Sequence, residues 1–358
     1  MSTSSITFIT IFRLSVTRHV IFNQIEEISN QISQNQQQQQ QQSKRKRNES
    51  RKGKEIIKLK DFAMIADYAM PWDFIKHYLP AYAIDQDGFQ PRLKTISRYC
   101  RHPNATLSTL EHLLEWSPDY HPNKEKDIPK GTNQACRIAK AGHTDILELL
   151  VKRYPKMDLE FSMSSAIKRG HLSTIQFLNT CKRVRCSTFQ IDYAAKFGRF
   201  DILKFLHENR TEGCTVNALD NAASNGHLDI VKFLHENRTE GCTKKAMDES
   251  AKNGYIEILK FLHLNRTEGC TTNAMDFSVI SGRTDIVKFL NENRTEGCTN
   301  FALTVNPTDS DPHFETIHYI LSNKLINSFM IQKLQEANSP YYEIIRVVAR
   351  HFNTTYHN

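Results

Sequence analysis

Apolar and small residues recur along residues 132–299 with a period of 28, and each period contains two amphipathic stretches. In one copy, Ala218, Leu219 and Ala222 fall on one narrow stripe at helical spacing, which predicts a first helix lined by small residues. A second stripe begins at Ile230 and carries larger side chains. The pattern therefore predicts stacked pairs of unequal helices.

Residues with special roles at helix ends separate the predicted helices. Thr215 precedes the first helix and can act as its N-cap, and Asp229 lies in the first turn of the second helix. Gly226 stands between the two helices, where a left-handed residue would end the first one. Equivalent residues recur in the other copies: Ser187, Thr243, Thr271, Thr299, Gly142, Gly170, Gly198, Gly254 and Gly282.

One heptapeptide, Asn-Arg-Thr-Glu-Gly-Cys-Thr, joins each second helix to the next first helix and occurs four times without change. Each copy is a formal glycosylation sequon, but its regular place at a helix end favours a structural role. The identity of the copies indicates recent duplication rather than a recognition motif. The copies are Asn209–Thr215, Asn237–Thr243, Asn265–Thr271 and Asn293–Thr299.

The segment 217–234 resembles an ankyrin repeat. The shared positions are Leu219, Ala222, Ala223, Gly226, His227, Ile230, Val231 and Leu234. Asn217, Ala218 and Asp220 replace the Thr-Pro and His of the ankyrin pattern, and the period of 28 is shorter than the usual ~33. The resemblance, which extends to ankyrin-repeat proteins of glutamine- and asparagine-rich eukaryotic proteomes, implies an all-α, ankyrin-like α-solenoid that binds protein partners. It also implies structural roles for His143, His171 and His227.

Composition divides the chain into five segments. We expect an amphipathic segment at 1–30 rather than a signal peptide, a disordered polyglutamine and basic linker at 31–60, degenerate helical pairs with a proline-containing loop at 61–131, the repeat array at 132–299 and degenerate repeats or a cap at 300–358. No stretch approaches the ~20 apolar residues of a membrane span. We therefore expect an intracellular monomer, cytoplasmic or nuclear.

Positive charge is concentrated in the linker. Residues 43–60 contain nine Lys or Arg and two Glu, a local charge of +7 out of the chain's +8, so the array is close to neutral. The cluster Lys44, Arg45, Lys46 and Arg47 fits a nuclear-import signal, a nucleic-acid contact or a solvated linker. Nucleic acid is therefore not the expected partner of the array, although a nuclear factor with accessory repeats remains the alternative.

No set of residues predicts catalysis, a cofactor or a metal site. Five of the eight cysteines form a column with a spacing of 28, and no pair shows the Cys-x-x-Cys spacing of a zinc site. Stacked repeats place such residues ~8–10 Å apart, too far for a disulfide. We expect buried thiols in a reducing compartment and no enzymatic activity. The column is Cys186, Cys214, Cys242, Cys270 and Cys298.

Variation within the period identifies candidate binding residues. One column of the first helix is constant, Asp192, Asp220, Asp248 and Asp276, and predicts a structural hydrogen bond in place of the one made by the ankyrin histidine. Two other columns change from copy to copy, either because they bind a partner or because an exposed face has drifted. These candidate partner-binding residues are Phe189, Tyr193, Asn217, Asn221, Lys245, Glu249, Asn273 and Phe277.

Overall fold

A computed structural model describes residues 62–76, 79, 86–124, 132–303, 312–326, 331–332 and 340–351. Within these ranges the chain forms α-helices and short 3-10 helices and no β-strand, which confirms the all-α prediction. The chain divides into two compact units between Val184 and Arg185. The predicted amphipathic segment and linker at 1–60 lie outside the described residues.

The first unit is built from helical pairs. The first helices α5 (Gln134–Ala141) and α7 (Ser162–Arg169) are lined by small residues and pack against each other. Each also packs against its own second helix, α6 (Thr144–Arg153) or α8 (Leu172–Thr180). Upstream, α3 packs on α1 and α4, in the region of the predicted degenerate pairs. The helices are α1 (Ala63–Asp67), α2 (Trp72–Ile75), α3 (Gln86–Tyr99), α4 (Leu107–Trp116), α5 (Gln134–Ala141), α6 (Thr144–Arg153), α7 (Ser162–Arg169) and α8 (Leu172–Thr180), with a 3-10 turn at Pro122–Lys124.

The second unit is an α-solenoid of the same helical pairs. Its first helices are α9 (Phe189–Lys196), α11 (Val216–Ser224), α13 (Lys244–Asn253) and α15 (Thr272–Ile280). Each first helix packs on the next one along the chain and also contacts its own second helix. The helices are α9 (Phe189–Lys196), α10 (Phe200–Asn209), α11 (Val216–Ser224), α12 (Leu228–Asn237), α13 (Lys244–Asn253), α14 (Ile256–Asn265), α15 (Thr272–Ile280), α16 (Thr284–Asn293), α17 (Pro312–Ser322) and α18 (Pro340–His351), with a 3-10 turn at Asn300–Leu303.

Small side chains let the first helices approach one another. On α11, Ala218, Ala222 and Ala223 are almost completely buried, and Leu219 is 3% exposed. Burial of this kind stabilises by about 25 cal/mol per Å² of apolar surface, so the stripe contributes to the stability of the junction. None of the helices in the described ranges is long and apolar enough to cross a membrane.

The turn glycine of each repeat serves both the backbone and the packing. The six predicted turn glycines all have φ between 64° and 87°, which confirms the predicted left-handed turn. At Gly226 a methyl group would also lie only 2.6 Å from the ring of Tyr255, which belongs to the next repeat. Any side chain at this position would therefore combine backbone strain with a clash between repeats.

The second helices bury their aliphatic side chains more completely than their phenylalanines. On α12, Ile230, Val231 and Leu234 are buried, as predicted, but Phe233 is only half-buried. Its ring receives the edge of His207 from the previous repeat, with ring centroids 5.3 Å apart. Phe261 and Phe289 make the same contact with the histidine of the previous repeat, so this column of phenylalanines joins neighbouring second helices.

Candidate interaction surface

The constant aspartates connect each first helix to the next. Asp220 on α11 accepts two hydrogen bonds from Thr243, one from its backbone N–H at 2.8 Å and one from its hydroxyl at 2.6 Å. Thr243 in turn caps α13 by accepting the Lys245 N–H through its hydroxyl oxygen. The predicted structural hydrogen bond and the threonine N-cap are both confirmed. The same pairs recur at Asp192 with Thr215, Asp248 with Thr271 and Asp276 with Thr299.

Burial of these carboxyl groups opposes their ionisation. Asp220 is 2% exposed, and desolvation raises its pKa, although the two hydrogen bonds from Thr243 act in the opposite direction. Burial likewise raises the pKa of Asp192 and Asp276. Because both carboxylate oxygens already accept hydrogen bonds inside the protein, these acidic groups have a structural role.

The repeated heptapeptide forms a second connection between repeats. Arg238 and Glu240 make an ion pair, and the Arg238 guanidinium lies against Gly213 of the previous copy, where a methyl group would be only 2.5 Å away. The Cys214 N–H donates to the Glu240 carboxylate at 3.3 Å. The hydrogen bond from Arg238 lowers the pKa of Glu240 to about 2. Equivalent ion pairs join Arg210 to Glu212, Arg266 to Glu268 and Arg294 to Glu296.

The remaining heptapeptide residues end the second helix. Asn237 is exposed, and its side-chain amide donates to the Phe233 carbonyl, one turn earlier in α12, at 2.9 Å. The sequon asparagine therefore has a structural use in each repeat. Asn209, Asn265 and Asn293 make the same bond. Most side chains of the heptapeptide therefore make contacts within the protein, as expected for a structural role.

The cysteine column lies at the junction between repeats. All eight cysteines are free thiols; Cys214, Cys242 and Cys270 are buried, whereas Cys186 and Cys298 are partly exposed. Burial is the largest cause that raises the pKa of Cys214 and Cys242 to about 12 and that of Cys270 to about 11. Thiols held so far from ionisation are poor nucleophiles and poor metal ligands.

The histidines after the turn glycines make structural contacts. His143 donates through Nε2 to the His102 carbonyl at 2.8 Å, and His171 donates to the Lys140 carbonyl at 3.1 Å. The ring of His227 lies against Gly198. These contacts agree with the structural role expected for all three. Within the described residues, no three His, Cys, Asp or Glu side chains come together in a way that could hold a metal ion.

The predicted binding residues lie in two columns along the first helices of the second unit. We call the solvent-facing side of α9, α11, α13 and α15 the first-helix surface. One column is exposed along its length: Phe189, Asn217, Lys245 and Asn273. The other is half-buried: Tyr193, Asn221, Glu249 and Phe277. Because the columns are one helical turn apart and each first helix packs on the next, all eight residues belong to this surface.

An aromatic cluster lies at the α9 end of the first-helix surface. We call Phe189, Tyr193 and Phe197 the α9 cluster. Phe189, which is 51% exposed, stacks on Tyr193 at 4.8 Å between ring centroids, and Tyr193 meets the edge of Phe197 at 4.6 Å. The Lys196 ammonium lies 6.0 Å from the Phe197 ring centroid. An exposed apolar group thus stands beside a positive charge.

A second aromatic cluster lies at the α15 end. We call Phe277 and Phe301 the α15 cluster; their ring centroids are 6.1 Å apart, and Phe301 is 47% exposed. The Lys252 ammonium lies 5.0 Å over the Phe277 ring and 3.8 Å from Glu249. Two of the predicted residues, Glu249 and Phe277, therefore share one lysine.

Comparison of the columns in the sequence missed four residues that belong to these clusters or lie beside them. Lys196 and Lys252 occupy the same column in repeats that are not adjacent, and the column does not stand out because the other copies carry Ser224 and Ile280. Phe197 follows the last residue of α9 and lies outside the two variable columns. Phe301 continues the column of Phe189 and Asn273 one repeat further, in the 3-10 turn Asn300–Leu303, beyond the four copies that were compared. The other predicted site, the basic cluster at 44–47, lies outside the described residues.

The repeats that carry this surface match a known family. Residues 191–235 and residues 219–263 each match the family model for ankyrin repeats (many copies). Residues 191–263 are therefore similar to ankyrin repeats. Comparison of the chain with curated proteins finds no match.

The ankyrin match covers the central part of the first-helix surface. Tyr193, Asn217, Asn221, Lys245 and Glu249 lie within it. The flanking residues at positions 189, 273 and 277 lie outside the matched range but on helices that continue the same packing. Ankyrin repeats support a role as a protein-interaction scaffold in general, because a solenoid presents one continuous surface made from many repeats.

Proposed function

We propose that this protein is a non-catalytic scaffold that binds a protein partner along the first-helix surface. The observation that supports this is a contrast within the repeat. The aspartate, threonine, arginine and glutamate positions make the same contacts in successive copies, whereas the eight candidate residues vary between copies. An exposed aromatic ring lies at each end of their surface, Phe189 at one end and Phe301 at the other. Aromatic residues, phenylalanine among them, are enriched at protein–protein interfaces relative to the rest of the surface.

Affinity capture with variants of the full chain tests this proposal. We expect the triple variant Asn221→Ala, Glu249→Ala and Phe277→Ala to lose the proteins that co-purify with the wild type from its native cell, as quantified by mass spectrometry. The matched control changes three exposed residues on second helices: Glu236→Ala, Lys260→Ala and Asp285→Ala. Capture that is equal for the triple variant and the wild type would show that the surface is wrongly assigned.

Several finer features are part of the same proposal. We infer that the ankyrin-like array spans 132–299 with divergent repeats at a period of 28, that 300–358 caps it, and that the protein is a monomer in the cytoplasm or nucleus. Light scattering after size exclusion tests the monomer, and limited proteolysis tests the boundaries.

The alternative of a nuclear factor that contacts nucleic acid remains a prediction from the sequence. It depends on the local charge of +7 at residues 43–60. Binding to DNA or RNA that falls steeply with salt and disappears when 43–60 is deleted would support it. Absence of salt-dependent retention on a polyanion column would exclude it.

A further inference from the structure

We propose that the partner presents an extended, acidic segment with apolar side chains, held by two lysine–aromatic clamps on the first-helix surface. The first clamp is Lys196 with the α9 cluster, and the second is Lys252 with the α15 cluster. This inference rests on the proposed function, because it specifies the chemistry of the partner that the same surface binds.

Each clamp offers an apolar face and a positive charge side by side. Lys252 keeps 44% of its side chain exposed while its ammonium lies 5.0 Å over the Phe277 ring. Lys196 is exposed beside Phe197, with Phe189 half-exposed on the same helix. A carboxylate next to an aromatic or leucine side chain matches both parts of such a clamp: the carboxylate pairs with the ammonium, and the apolar group packs on the rings.

The charges within reach of a partner on this surface are mainly positive. The exposed charged side chains of its four helices are Lys196, Lys244, Lys245 and Lys252. The acidic groups are the half-buried Glu249, which pairs with Lys252 at 3.8 Å, and the constant aspartates, which are buried and accept hydrogen bonds from threonine. The second helices differ, since α10, α12 and α16 each expose two acidic residues and one lysine. Residues 185–299 contain 15 Lys or Arg and 16 Asp or Glu and are nearly neutral, but their first-helix surface favours an acidic ligand.

The spacing of the clamps sets the spacing in the ligand. Lys196 is on α9 and Lys252 on α13, so two helix-packing steps of ~8–10 Å separate them, or about 16–20 Å. An extended peptide covers this distance in about five or six residues. Asn217 and Asn221 lie between the clamps on α11. Amide side chains there can pair with the free N–H and C=O groups of an extended peptide, which a helical ligand would use internally.

The first experiment selects ligands without assuming a sequence. Random peptides of ~12 residues, long enough to span both clamps, are displayed on phage and selected on the immobilised full chain. We expect enriched sequences with Asp or Glu beside an aromatic residue or leucine, repeated about five or six residues apart. Enrichment of basic peptides, of pairs without this spacing, or of no peptide at all would overturn the inference.

Charge reversal then assigns the clamps. Fluorescence anisotropy should show that the double variant Lys196→Glu, Lys252→Glu binds a peptide of the enriched sequence at least about tenfold more weakly than the wild type does. The same variant should bind a peptide with lysine in place of the acidic residues better than the wild type does. The matched control reverses Lys204 and Lys260, which are also exposed and have the same separation along the chain but lie on second helices. Equal weakening by the control would mean non-specific attraction and would contradict the clamps.

Failure of this inference can be told apart from failure of the proposed function. A cellular partner that is lost with Asn221→Ala, Glu249→Ala and Phe277→Ala but retained by the lysine reversal would leave the surface in place and refute the acidic clamps. Retention by both variants would refute the surface itself. Circular dichroism of every variant checks that the helices remain folded.

Discussion

The aspartate–threonine contact gives the most quantitative prediction about the repeat junction. Asp220→Ala removes both acceptors that hold the start of α13, so the Thr243 N–H loses its bond of 2.8 Å and the Thr243 hydroxyl loses its bond of 2.6 Å. Thr243 would keep its own capping bond to the Lys245 N–H. The variant therefore tests the connection between repeats and not the cap of the helix.

The expected loss of stability is moderate because two effects oppose each other. A hydrogen bond to a charged acceptor contributes about 1.5–3 kcal/mol, and two such bonds would give about 3–6 kcal/mol. The carboxylate, however, is desolvated, as the raised pKa of Asp220 shows, and its removal relieves that penalty. We expect a net loss of about 2–3 kcal/mol in the free energy of unfolding.

Urea unfolding followed by far-ultraviolet circular dichroism measures this loss. Asp220→Asn is the matched variant, because its amide oxygen can still accept the Thr243 N–H and its amide N–H can donate to the threonine oxygen; we expect a loss of about 1 kcal/mol or less. Glu236→Ala removes an exposed carboxylate from the same repeat and should change stability by less than about 0.5 kcal/mol.

A loss for Asp220→Ala as small as that for Glu236→Ala would refute the reasoning. It would mean that the desolvation penalty of the carboxylate cancels its two hydrogen bonds. Equal and large losses for the alanine and asparagine variants would instead show that the charge, and not the hydrogen-bond geometry, stabilises the junction.

Three further predictions concern the same repeats. Gly226→Ala combines a φ of 83° with a methyl group 2.6 Å from the Tyr255 ring, so thermal unfolding should show a loss of about 2–4 kcal/mol in the free energy of unfolding. The control Gly297→Ala, with a φ of 70° but no described atom within 4 Å, should lose only the ~1 kcal/mol of backbone strain. Equal losses for the two variants would exclude the clash with Tyr255. The hydrogen bond from the preceding arginine lowers the pKa of Glu240 from 4.5 to about 2, so its ionised form stabilises the fold above pH 4.5 and this stabilisation is lost as the pH falls towards 2. The melting temperature should therefore decrease less between pH 4.5 and pH 2 for Glu240→Gln than for the wild type. Equal decreases in the two proteins would contradict the low pKa of Glu240. Because burial raises the pKa of the Cys214 thiol to about 12, a maleimide reagent should label it far more slowly in the native protein than in urea, and fast native labelling would contradict its burial.

The sequence alone was sufficient for the local structure of the repeats. A constant threonine before a stripe of small residues, and a glycine after it, predicted the N-caps and left-handed turns that the structure shows, because these depend on residues a few positions apart. The constant aspartate column predicted a structural hydrogen bond without identifying its partner. The sequence also placed the eight variable residues on one helix face by their period.

Contacts between repeats depended on the tertiary structure. The partner of Asp220 is Thr243 in the next repeat, and the guanidinium that lies against Gly213 belongs to Arg238 in the next copy of the heptapeptide. A period shows that positions are equivalent but does not show which side chain of one repeat reaches which atom of the next. That depends on the offset and rotation of neighbouring helices, which packing determines.

The lysine–aromatic clamps at the candidate site also depend on contacts between repeats that the sequence does not specify. Lys252 and Phe277 lie in successive repeats and on different helices, yet the ammonium is 5.0 Å from the ring. Column-by-column variation identified Phe277 but not Lys252, because the lysine matters through its neighbour in space and not through its own column. The sequence determined the repeating helices and the face that varies, whereas only the packing of one helix on the next decided which of those side chains act together.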